Sequence, residues 1–188
     1  DITSHDPDVI MLQEISRTNV GLLAVLRSAY PHQTYCPGNG RFGTAVLSKW
    51  PTSGVQHCTD RTTITQLSTP WGDVWTVSLH LYWPFPMGQS DQLRSIMPQL
   101  SALDGPVILA GDLNMLPTTR VDRVLAQSTQ TRSLRPTPPT FFVGPIPLSI
   151  DRIFAKCGKV RQAALAGSDH HGIVAHVGFN TVTCPNAS

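Results

Sequence analysis

The sequence predicts an α/β sandwich, in which two mixed, mostly antiparallel sheets pack face to face and helices cover the outside. Three observations favour this class: few segments have helical spacing, many short segments have strand character, and the chain opens with a strand followed by a helix. Such elements bury their apolar faces in only a few layered arrangements. At 188 residues, 40% of them hydrophobic, we expect one domain over residues 1–180 and a C-terminal tail over residues 181–188.

Two short apolar runs are predicted to be strands that end in polar residues. Residues 8–12 lead into Glu14, and residues 106–110 lead into Asp112 and Asn114. Apolar runs of this length are typical of strands that are covered on both faces. A side chain at the end of such a strand is held rigidly and stays open to a ligand.

The other elements follow from spacing and from turn residues. Helices are predicted over residues 20–29, 90–103 and 121–126, with Ser90 as an N-cap and Pro98 as a kink.

Residues 43–81 predict a meander of antiparallel strands, and residues 149–155 and 172–179 predict two further strands. The segment 131–147, rich in Pro and Thr, is predicted to be a loop.

Composition limits the function. The formal net charge is +2, and without a dense basic stripe tight sequence-specific DNA binding is not indicated. A phosphate-bearing substrate stays open, because a bound metal ion concentrates positive charge locally. A disulfide between Cys36 and Cys58 is one of the open pairings, with Cys157 and Cys184 as the other two cysteines, and it would indicate an oxidising compartment.

Acids recur at the rims of apolar strands. A buried carboxylate is unfavourable unless it is paired or bound to a metal, so convergence on one cation would explain them together. Five polar clusters follow this pattern: Gln13-Glu14, Ser78-Leu79-His80, Gly111-Asp112-Leu113-Asn114, Ile150-Asp151-Arg152 and Ser168-Asp169-His170.

The order and the residues of these clusters resemble the motifs of the endonuclease/exonuclease/phosphatase superfamily. This superfamily includes pancreatic-type deoxyribonucleases, abasic-site endonucleases, inositol-polyphosphate phosphatases and neutral sphingomyelinases. The resemblance extends from Glu14 to His170. The family's Gly-Asp-Phe-Asn turn is present with Leu113 in place of Phe, and its Ser-Asp-His-x-Pro signature with Gly172 in place of Pro. Asp151 matches the acid before Arg-Ile. The resemblance implies a four-layer α/β/β/α, DNase I-like sandwich.

The resemblance also implies a metal site. Glu14 is expected to hold Mg²⁺ or Mn²⁺ with the help of Asp169, since hard cations prefer oxygen ligands. Negative charge grows on the phosphoryl oxygens during in-line attack by water, so a divalent cation lowers this barrier directly.

The remaining polar residues are assigned to proton transfer and to phosphate binding. His170, with Asp151 behind it, is expected to form an acid–base pair, while Asp112 orients or deprotonates the attacking water. Asn114 and His80 are expected to donate hydrogen bonds to the phosphoryl oxygens. Whether His170 or Asp112 is the base stays open.

Each residue also has a purely structural interpretation. Glu14 alone is compatible with a solvated strand end, Asp112 and Asn114 with an Asx turn, and Asp169 with a turn or cap. Turn chemistry alone does not explain all five clusters in the family's order.

Two loops are candidates for substrate contacts. Trp83, Phe85 and Met87 either line the mouth of the site, touch a membrane or partner, or fold back on the core. Arg132 and Arg135 are candidates for contacts with a substrate phosphate, with a solvated loop as the alternative.

The function expected from these residues is hydrolysis of phosphodiester bonds, as in a nuclease. The alternatives are a phosphomonoesterase or phospholipase-C-like enzyme acting on lipid or sugar phosphates, and a binding module that has kept the fold without catalysis. We expect a monomer whose partner is the phosphate ester itself, from nucleic acid or from a phosphorylated lipid or sugar. Family members vary their substrate through loops, so its identity does not follow from the core motifs.

The start of the chain gives one further expectation. Members of the family begin with a strand that carries an Asn, and this sequence begins downstream of that strand, so the first strand is expected to be missing. Short family members with similar motifs occur in bacteria, where the domain follows a membrane-spanning N-terminal segment. By this resemblance, an extracytoplasmic location, periplasmic or anchored to a membrane, is expected rather than a cytoplasmic one.

Overall fold

The structure, a computed structural model, describes residues 3–38, 41–163 and 167–179. Three α-helices follow a 3₁₀ turn at Thr3–His5: α1 Gly21–Leu26, α2 Gln89–Ser101 and α3 Arg120–Ser128. The strands are β1 Val9–Ile15, β2 His32–Cys36, β3 Gly43–Ser48, β4 Thr52–Thr59, β5 Thr62–Thr69, β6 Gly72–His80, β7 Val107–Asp112, β8 Arg132–Ser133, β9 Phe141–Val143, β10 Ile146–Leu148, β11 Asp151–Ala155, β12 Cys157–Ala163 and β13 Gly172–Gly178. The predicted tail, residues 181–188, lies outside the described residues.

The strands form two main sheets. The short sheet has the order β1-β3-β2, and the long sheet has the order β4-β5-β6-β7-β11-β8. All neighbours run antiparallel except β6 and β7, which run parallel. Two hairpins, β9-β10 and β12-β13, complete the described strands.

Helices cover the outer face of each sheet. Leu23 and Leu26 of α1 pack on the short sheet, and Ile96 and Leu100 of α2, with Leu125 of α3, pack on the long sheet. The layers therefore run helix, sheet, sheet, helix, which confirms the predicted four-layer α/β/β/α sandwich. Among the described residues, no helix is both long and apolar enough to cross a bilayer.

The two sheets meet through a layer of buried hydroxyl groups. Thr44 of β3 and Thr63 of β5 lie with their hydroxyl oxygens 2.7 Å apart. Gln13 of β1 donates to the hydroxyl of Ser78 on β6, which donates to the backbone carbonyl of Leu12. Because each hydroxyl finds a partner, this polar layer is compatible with burial. These bonds fix the ends of β1 and β6 relative to each other.

Several sequence predictions need correction. The segment 43–81 is not one meander, because β3 is the central strand of the short sheet and only β4, β5 and β6 form the meander. Residues 32–36 and 157–163 were not predicted to be strands, and the segment 131–147, predicted to be a loop, contains β8, β9 and most of β10.

The helix predictions are right in place and wrong at the ends. The first helix ends at Leu26, three residues before the predicted end. Helix α2 begins at Gln89 and has Gly88 at its N-cap position, so Ser90 is not the cap. The backbone of Gly88 is left-handed, with φ of 78°. This conformation favours glycine, because glycine has no Cβ to clash with the neighbouring backbone. Helix α2 continues through Pro98.

A disulfide joins the two sheets at one edge. Cys36 at the end of β2 is bonded to Cys58 of β4, with their Cα atoms 5.5 Å apart. Of the pairings that the sequence left open, the structure contains the one between Cys36 and Cys58, whereas Cys184 lies outside the described residues.

Candidate active site

Three neighbouring strands of the long sheet bring polar residues to one end. His80 at the end of β6 stands beside Asp112 at the end of β7, and Asp112 stands opposite Asp151 at the start of β11. The order β6-β7-β11 therefore places residues that are far apart in the sequence in adjacent positions. Because the backbone hydrogen bonds of the sheet fix this register, the side chains need little ordering to meet a ligand.

His170 reaches this sheet end from the segment before β13. Its Nδ1 lies 2.8 Å from Oδ2 of Asp151, and the ring of Phe141 stacks against it with the ring centroids 4.8 Å apart. One ligand atom from each of Asp112, Asp151 and His170 falls within 4.8 Å of the others. The structure thus brings together three of the residues that the sequence assigned to one site.

The turn after β7 fixes Asp112 and Asn114 to each other. The backbone N–H of Asn114 donates to Oδ1 of Asp112 over 2.8 Å, and the side-chain amide of Asn114 donates to the carbonyl of Leu81 over 2.7 Å. Asn114 has a left-handed φ of 47°, which Asn tolerates better than most residues. This is the Asx turn that the structural interpretation anticipated, and it also holds Asp112 in a defined rotamer.

A glycine makes the close approach of β6 and β7 possible. A Cβ added at Gly111 would overlap the backbone carbonyl of Leu79. Any larger residue would therefore push β7 away from β6, one residue before Asp112. The Gly in the Gly-Asp-Leu-Asn turn thus has a steric role in the site.

Glu14 approaches from the short sheet. Its Oε1 lies 3.8 Å from Nε2 of His80, and Oδ2 of Asp112 lies 3.7 Å from the same nitrogen. The register of β1 against β3 shifts between Leu12 and Ile15, and Glu14 has a φ of 56°. A local irregularity of this kind changes the direction of a side chain at a strand end.

Burial sets the electrostatics of His80 and Asp112. Burial lowers the pKa of His80 to about 4, helped by the charge of Arg61, so its contacts with Glu14 and Asp112 are not ion pairs at neutral pH. Two carboxylates face Nε2, which favours the neutral tautomer with its proton on that nitrogen. Burial also raises the pKa of Asp112 to about 7, and the charge of Asp151 adds to this effect.

His170 has the opposite character. Burial works against its charged form, but the hydrogen bond to Asp151 and the charge of that carboxylate outweigh burial and raise the pKa of His170 to about 9. The metal-free site therefore contains an imidazolium, paired with Asp151, next to a buried carboxyl group.

These residues surround an open cleft with a volume of ≈ 250 Å³. Three carboxylates line it, those of Glu14, Asp112 and Asp169, while Asp151 lies behind His170. Its other lining residues are Phe42, Arg61, His80, Tyr82, Trp83, Met87, Asn114, Phe141 and His170.

The donor set fits a hard divalent cation. The carboxylates of Glu14, Asp112 and Asp169 line the cleft, together with two imidazoles, those of His170 and His80. Mg²⁺ and Mn²⁺ are bound in this way, by one or two carboxylates together with water and substrate oxygens. A zinc site built from thiolates does not fit, because the cleft has no cysteine among its described lining residues.

The structure also places the residues that were predicted to bind substrate. Trp83 and Met87 line the cleft, whereas Phe85 is 88% exposed beside it. Arg132 pairs with Ala155, at the opposite end of β11 from Asp151.

Four residues along a strand correspond to about 13 Å. Neither Arg132 nor Arg135 lines the described cleft, so the expectation that these two arginines meet the substrate phosphate is not supported.

Sequence reasoning missed Phe141, which packs against His170, and a group of three further cleft residues, Arg61, Phe42 and Tyr82. Arg61 lies in the turn between β4 and β5, and its carbonyl accepts a hydrogen bond from the backbone N–H of His80 over 3.0 Å. Phe42 packs against the ring of His80. No local motif marks these residues, because three separate segments bring them together.

A buried ion pair supports the site from behind. Arg152 is 2% exposed, and its guanidinium lies 3.0 Å from Oδ1 of Asp122 on α3. It also donates to the carbonyls of Ser149 and Met115, while Oδ2 of Asp122 accepts from the backbone of Thr118. The pair thereby ties the loop after Asn114 to the strand that carries Asp151.

Comparison with known proteins agrees with the sequence motifs. Residues 1–170 match the model of the Endonuclease/Exonuclease/phosphatase family. A search of curated proteins finds no match.

Solved structures share the fold. An endonuclease/exonuclease/phosphatase from Beutenbergia cavernae DSM 12333 matches with a TM-score of 0.69 at 20% identity, over 93% of this chain and 63% of that one. A 3'-5' exonuclease from Neisseria meningitidis matches with a TM-score of 0.66 at 17% identity, over 90% of this chain and 89% of that one. Sphingomyelinase C from Streptomyces griseocarneus matches with a TM-score of 0.63 at 19% identity, over 89% of this chain and 85% of that one.

This chain thus spans less than two thirds of the Beutenbergia protein, 63% of it. The family model, by contrast, extends from the first residue to His170 and so includes every polar cluster of the cleft. The chain therefore belongs to the endonuclease/exonuclease/phosphatase family.

Proposed function

We propose that this chain is a divalent-metal-dependent phosphoesterase that hydrolyses phosphodiester bonds by in-line attack of water. The observation that carries the proposal is the convergence of Asp112, Asp151 and His170 at one sheet end, in a cleft that Glu14 and Asp169 also line. Family membership supports phosphoester hydrolysis as the reaction class.

The metal is assigned to the carboxylates that face the cleft. Asp151 is engaged by His170 and Asp112 is assigned to the attacking water, so Glu14 and Asp169 are the acids left to hold Mg²⁺ or Mn²⁺. When bound, the cation would neutralise the charge that develops on the phosphoryl oxygens.

The remaining residues align water and phosphate. The Asp151–His170 pair fixes the ring of His170, because Nδ1 donates to the carboxylate and Nε2 is left for the substrate. Asp112 has one oxygen held by the backbone of Asn114, which orients its second oxygen to position and deprotonate the attacking water.

The Nε2–H of His80 is available to donate to a phosphoryl oxygen. The amide of Asn114 already donates to Leu81, so Asn114 acts by positioning Asp112 and by its second N–H.

Activity with and without metal tests this proposal. Bis(p-nitrophenyl) phosphate should be hydrolysed in the presence of Mg²⁺ or Mn²⁺, and EDTA should abolish the reaction. His170→Ala should lower kcat by about 10²–10⁴-fold, the range for removal of a proton-transfer group, and His176→Ala on β13 is the matched histidine control. A wild-type protein without activity on any phosphoester, or with full activity in EDTA, would contradict the proposal.

A second candidate is a phospholipase-C-like or phosphomonoester activity. The observation that favours it is the apolar rim near the cleft, where Trp83, Phe85 and Met87 are 45%, 88% and 54% exposed. Sphingomyelinase C from Streptomyces griseocarneus shares this fold. Hydrolysis of sphingomyelin in vesicles, or of p-nitrophenyl phosphate, with bis(p-nitrophenyl) phosphate left intact would favour this candidate.

We further propose that the protein acts in an oxidising, extracytoplasmic compartment. The disulfide between Cys36 and Cys58 supports this, since such bonds persist where thiols are not kept reduced. Alkylation of protein isolated from its native cells, followed by mass spectrometry, tests it. Alkylated Cys36 and Cys58 in unreduced samples would contradict it.

A further inference from the structure

We propose that Gln89 and Gln92 of α2 are positioning residues of the reaction, which hold the backbone of residues 80–82 so that the Nε2–H of His80 faces a phosphoryl oxygen of the substrate. This inference rests on the proposed phosphoesterase function and deepens it. It assigns the alignment of His80 to two side chains outside the described lining of the cleft.

The imidazole of His80 is not fixed by hydrogen bonds within the described part of the chain. Its Nδ1 is buried without a hydrogen-bond partner there. The carboxylates of Glu14 and Asp112 lie 3.8 and 3.7 Å from Nε2, beyond the usual range of a hydrogen bond. Apart from its contact with the ring of Phe42, the imidazole therefore depends on the position of its own backbone.

Gln92 binds the backbone around His80 at three points. Its amide nitrogen donates to the carbonyl of His80 over 3.0 Å and to that of Asp60 over 3.4 Å. Its amide oxygen accepts from the backbone N–H of Tyr82 over 2.7 Å. A side chain that is only 4% exposed thus uses both of its N–H groups and its oxygen. These bonds set the position of His80 relative to α2.

Gln89 and Asn114 bind the rest of the segment. Gln89 donates to the carbonyls of Tyr82 and Leu113, and so ties the segment to the turn after β7. Asn114 donates to the carbonyl of Leu81. Side-chain amides therefore satisfy all three carbonyls of residues 80–82, which a neighbouring strand would do inside a sheet.

Glutamine is unusual on the buried face of an amphipathic helix. The buried residues of α2 are Gln89, Gln92, Ile96 and Leu100, a stripe at helical spacing that is polar next to the site and apolar beyond it. A buried amide is unfavourable unless it is hydrogen-bonded. An apolar residue at either position would leave carbonyls after β6 without these partners. Both glutamines therefore serve the segment 80–82 rather than the core.

Steady-state kinetics of a Gln92 variant tests the role. With Mg²⁺ and bis(p-nitrophenyl) phosphate, Gln92→Met should lower kcat at least about tenfold, because a small misplacement of a group that binds the transition state costs up to about 10²-fold. KM should change less than about threefold, since the bond from His80 strengthens as charge grows on the phosphoryl oxygen. Gln127→Met, at an exposed glutamine of α3, is the matched control and should keep the wild-type values.

The His80→Ala background separates positioning from a purely structural role. His80→Ala itself should lower kcat by about 10²–10³-fold, as the loss of one donor to the transition state does. Addition of Gln92→Met should lower kcat by less than about threefold more, because the residue through which Gln92 acts is then absent. An equal loss in both backgrounds, a kcat of Gln92→Met within twofold of the wild-type value, or no effect of His80→Ala overturns the positioning and leaves the phosphoesterase intact.

Gln92→Asn is the second variant if Gln92→Met does not fold. It keeps a polar amide in the buried position, but its side chain is one methylene too short to reach the carbonyl of His80. Its kcat should fall at least about threefold, again with little further loss in the His80→Ala background. A wild-type kcat in Gln92→Asn would overturn the positioning.

NMR of the metal-free protein separates this proposal from the phosphoesterase itself. If the wild-type protein hydrolyses no phosphoester, the phosphoesterase proposal fails, and two signals decide whether Gln92 positions His80. In Gln92→Met the imidazole signals of His80 should move, and the amide of Tyr82 should exchange its hydrogen at least about tenfold faster. Gln127→Met should leave both unchanged. Unchanged imidazole signals or an unchanged exchange rate in Gln92→Met overturns the positioning.

Discussion

Nδ1 of His170 lies 2.8 Å from Oδ2 of Asp151, so a residue that precedes β13 is fixed by a carboxylate at the start of β11. Asp151 does not line the cleft itself. In the proposed reaction it acts through His170, as a positioning residue, and its loss should have a distinct signature.

Asp151→Asn should lower kcat by about 10²–10⁴-fold, because the amide neither fixes the tautomer of His170 nor stabilises its charge. KM should change much less. Steady-state kinetics on bis(p-nitrophenyl) phosphate measures both, with Asp91→Asn on α2 as the exposed control. A kcat within twofold of the wild-type value would show that the pair is structural only.

Titration of the metal-free protein in EDTA should give very different pKa values for the two histidines of the site, His170 and His80. His170 should stay protonated up to about pH 9, where Asp151 outweighs burial, and His80 should stay neutral down to about pH 4. NMR of labelled imidazole carbons in the metal-free protein measures both.

The raised pKa of His170 also makes stability depend on pH. Its folded pKa lies above the unfolded value of about 6.5, so this contribution is complete below that pH and is lost as the pH rises through about 9. The difference in unfolding free energy between the wild type and Asp151→Asn should shrink over this range. A constant difference would contradict the assignment.

Gly111→Ala should destabilise the fold by several kcal/mol, since the new methyl group overlaps the carbonyl of Leu79 and forces β7 away from β6. Denaturant titration measures the loss. Gly21→Ala is the control, because a Cβ there meets open space and lies at the start of α1, where Ala is the better helix former. Equal stability of the two variants would show that the strands can separate freely.

Asp122→Ala should cost about 3–5 kcal/mol of stability, because it leaves the guanidinium of Arg152 buried without its carboxylate. The exposed pair of Arg94 and Asp91 provides the comparison, and Arg94→Ala should change stability by less than about 1 kcal/mol. If the two variants are equally stable, the buried pair does not hold the loop behind Asp112 and Asn114.

Reduction of the disulfide should destabilise the protein by about 3 kcal/mol, the value for a closed loop of some 20 residues, since Cys36 and Cys58 are 22 residues apart. Thermal denaturation of a Cys36→Ser, Cys58→Ser double variant, compared with the oxidised wild type, measures the effect. Equal melting temperatures with and without reductant would contradict it.

The parts of the fold that local patterns encode were predictable. Strands β1 and β7 are short apolar runs with an acid at or near their ends, β11 begins with Asp151, and motifs such as Gly-Asp-Leu-Asn identify a turn and a site together. These signals sufficed to predict that Glu14, Asp112, Asp151 and His170 lie close together. In the structure Glu14, Asp112 and His170 line one cleft, and Asp151 lies behind His170.

The remaining parts depend on tertiary contacts. Strand β4 is mostly exposed and lacks an apolar pattern. Strand β5 is buried on both faces, with Thr63 and Thr65 against the other sheet and Ile64 against α2. The alternation of apolar and polar residues in β5 is therefore weak. The stack of Phe42, Arg61 and Tyr82 joins three segments without a shared motif. Arg132 and Arg135 do not line the described cleft, and residue type alone does not tell which end of a strand a neighbour such as Arg132 occupies.

The parallel pairing of β6 with β7 makes their carboxyl ends coincide, and the antiparallel β11 adds its start to the same edge. The residues proposed to transfer protons are therefore held by paired strands of the long sheet. Tyr82, Trp83 and Met87 lie instead on the connection after β6, which can vary in sequence without changing those strands. Directed evolution toward new substrates should therefore succeed by diversifying residues 82–88 and the β9-β10 hairpin, with the sheet sequence left intact.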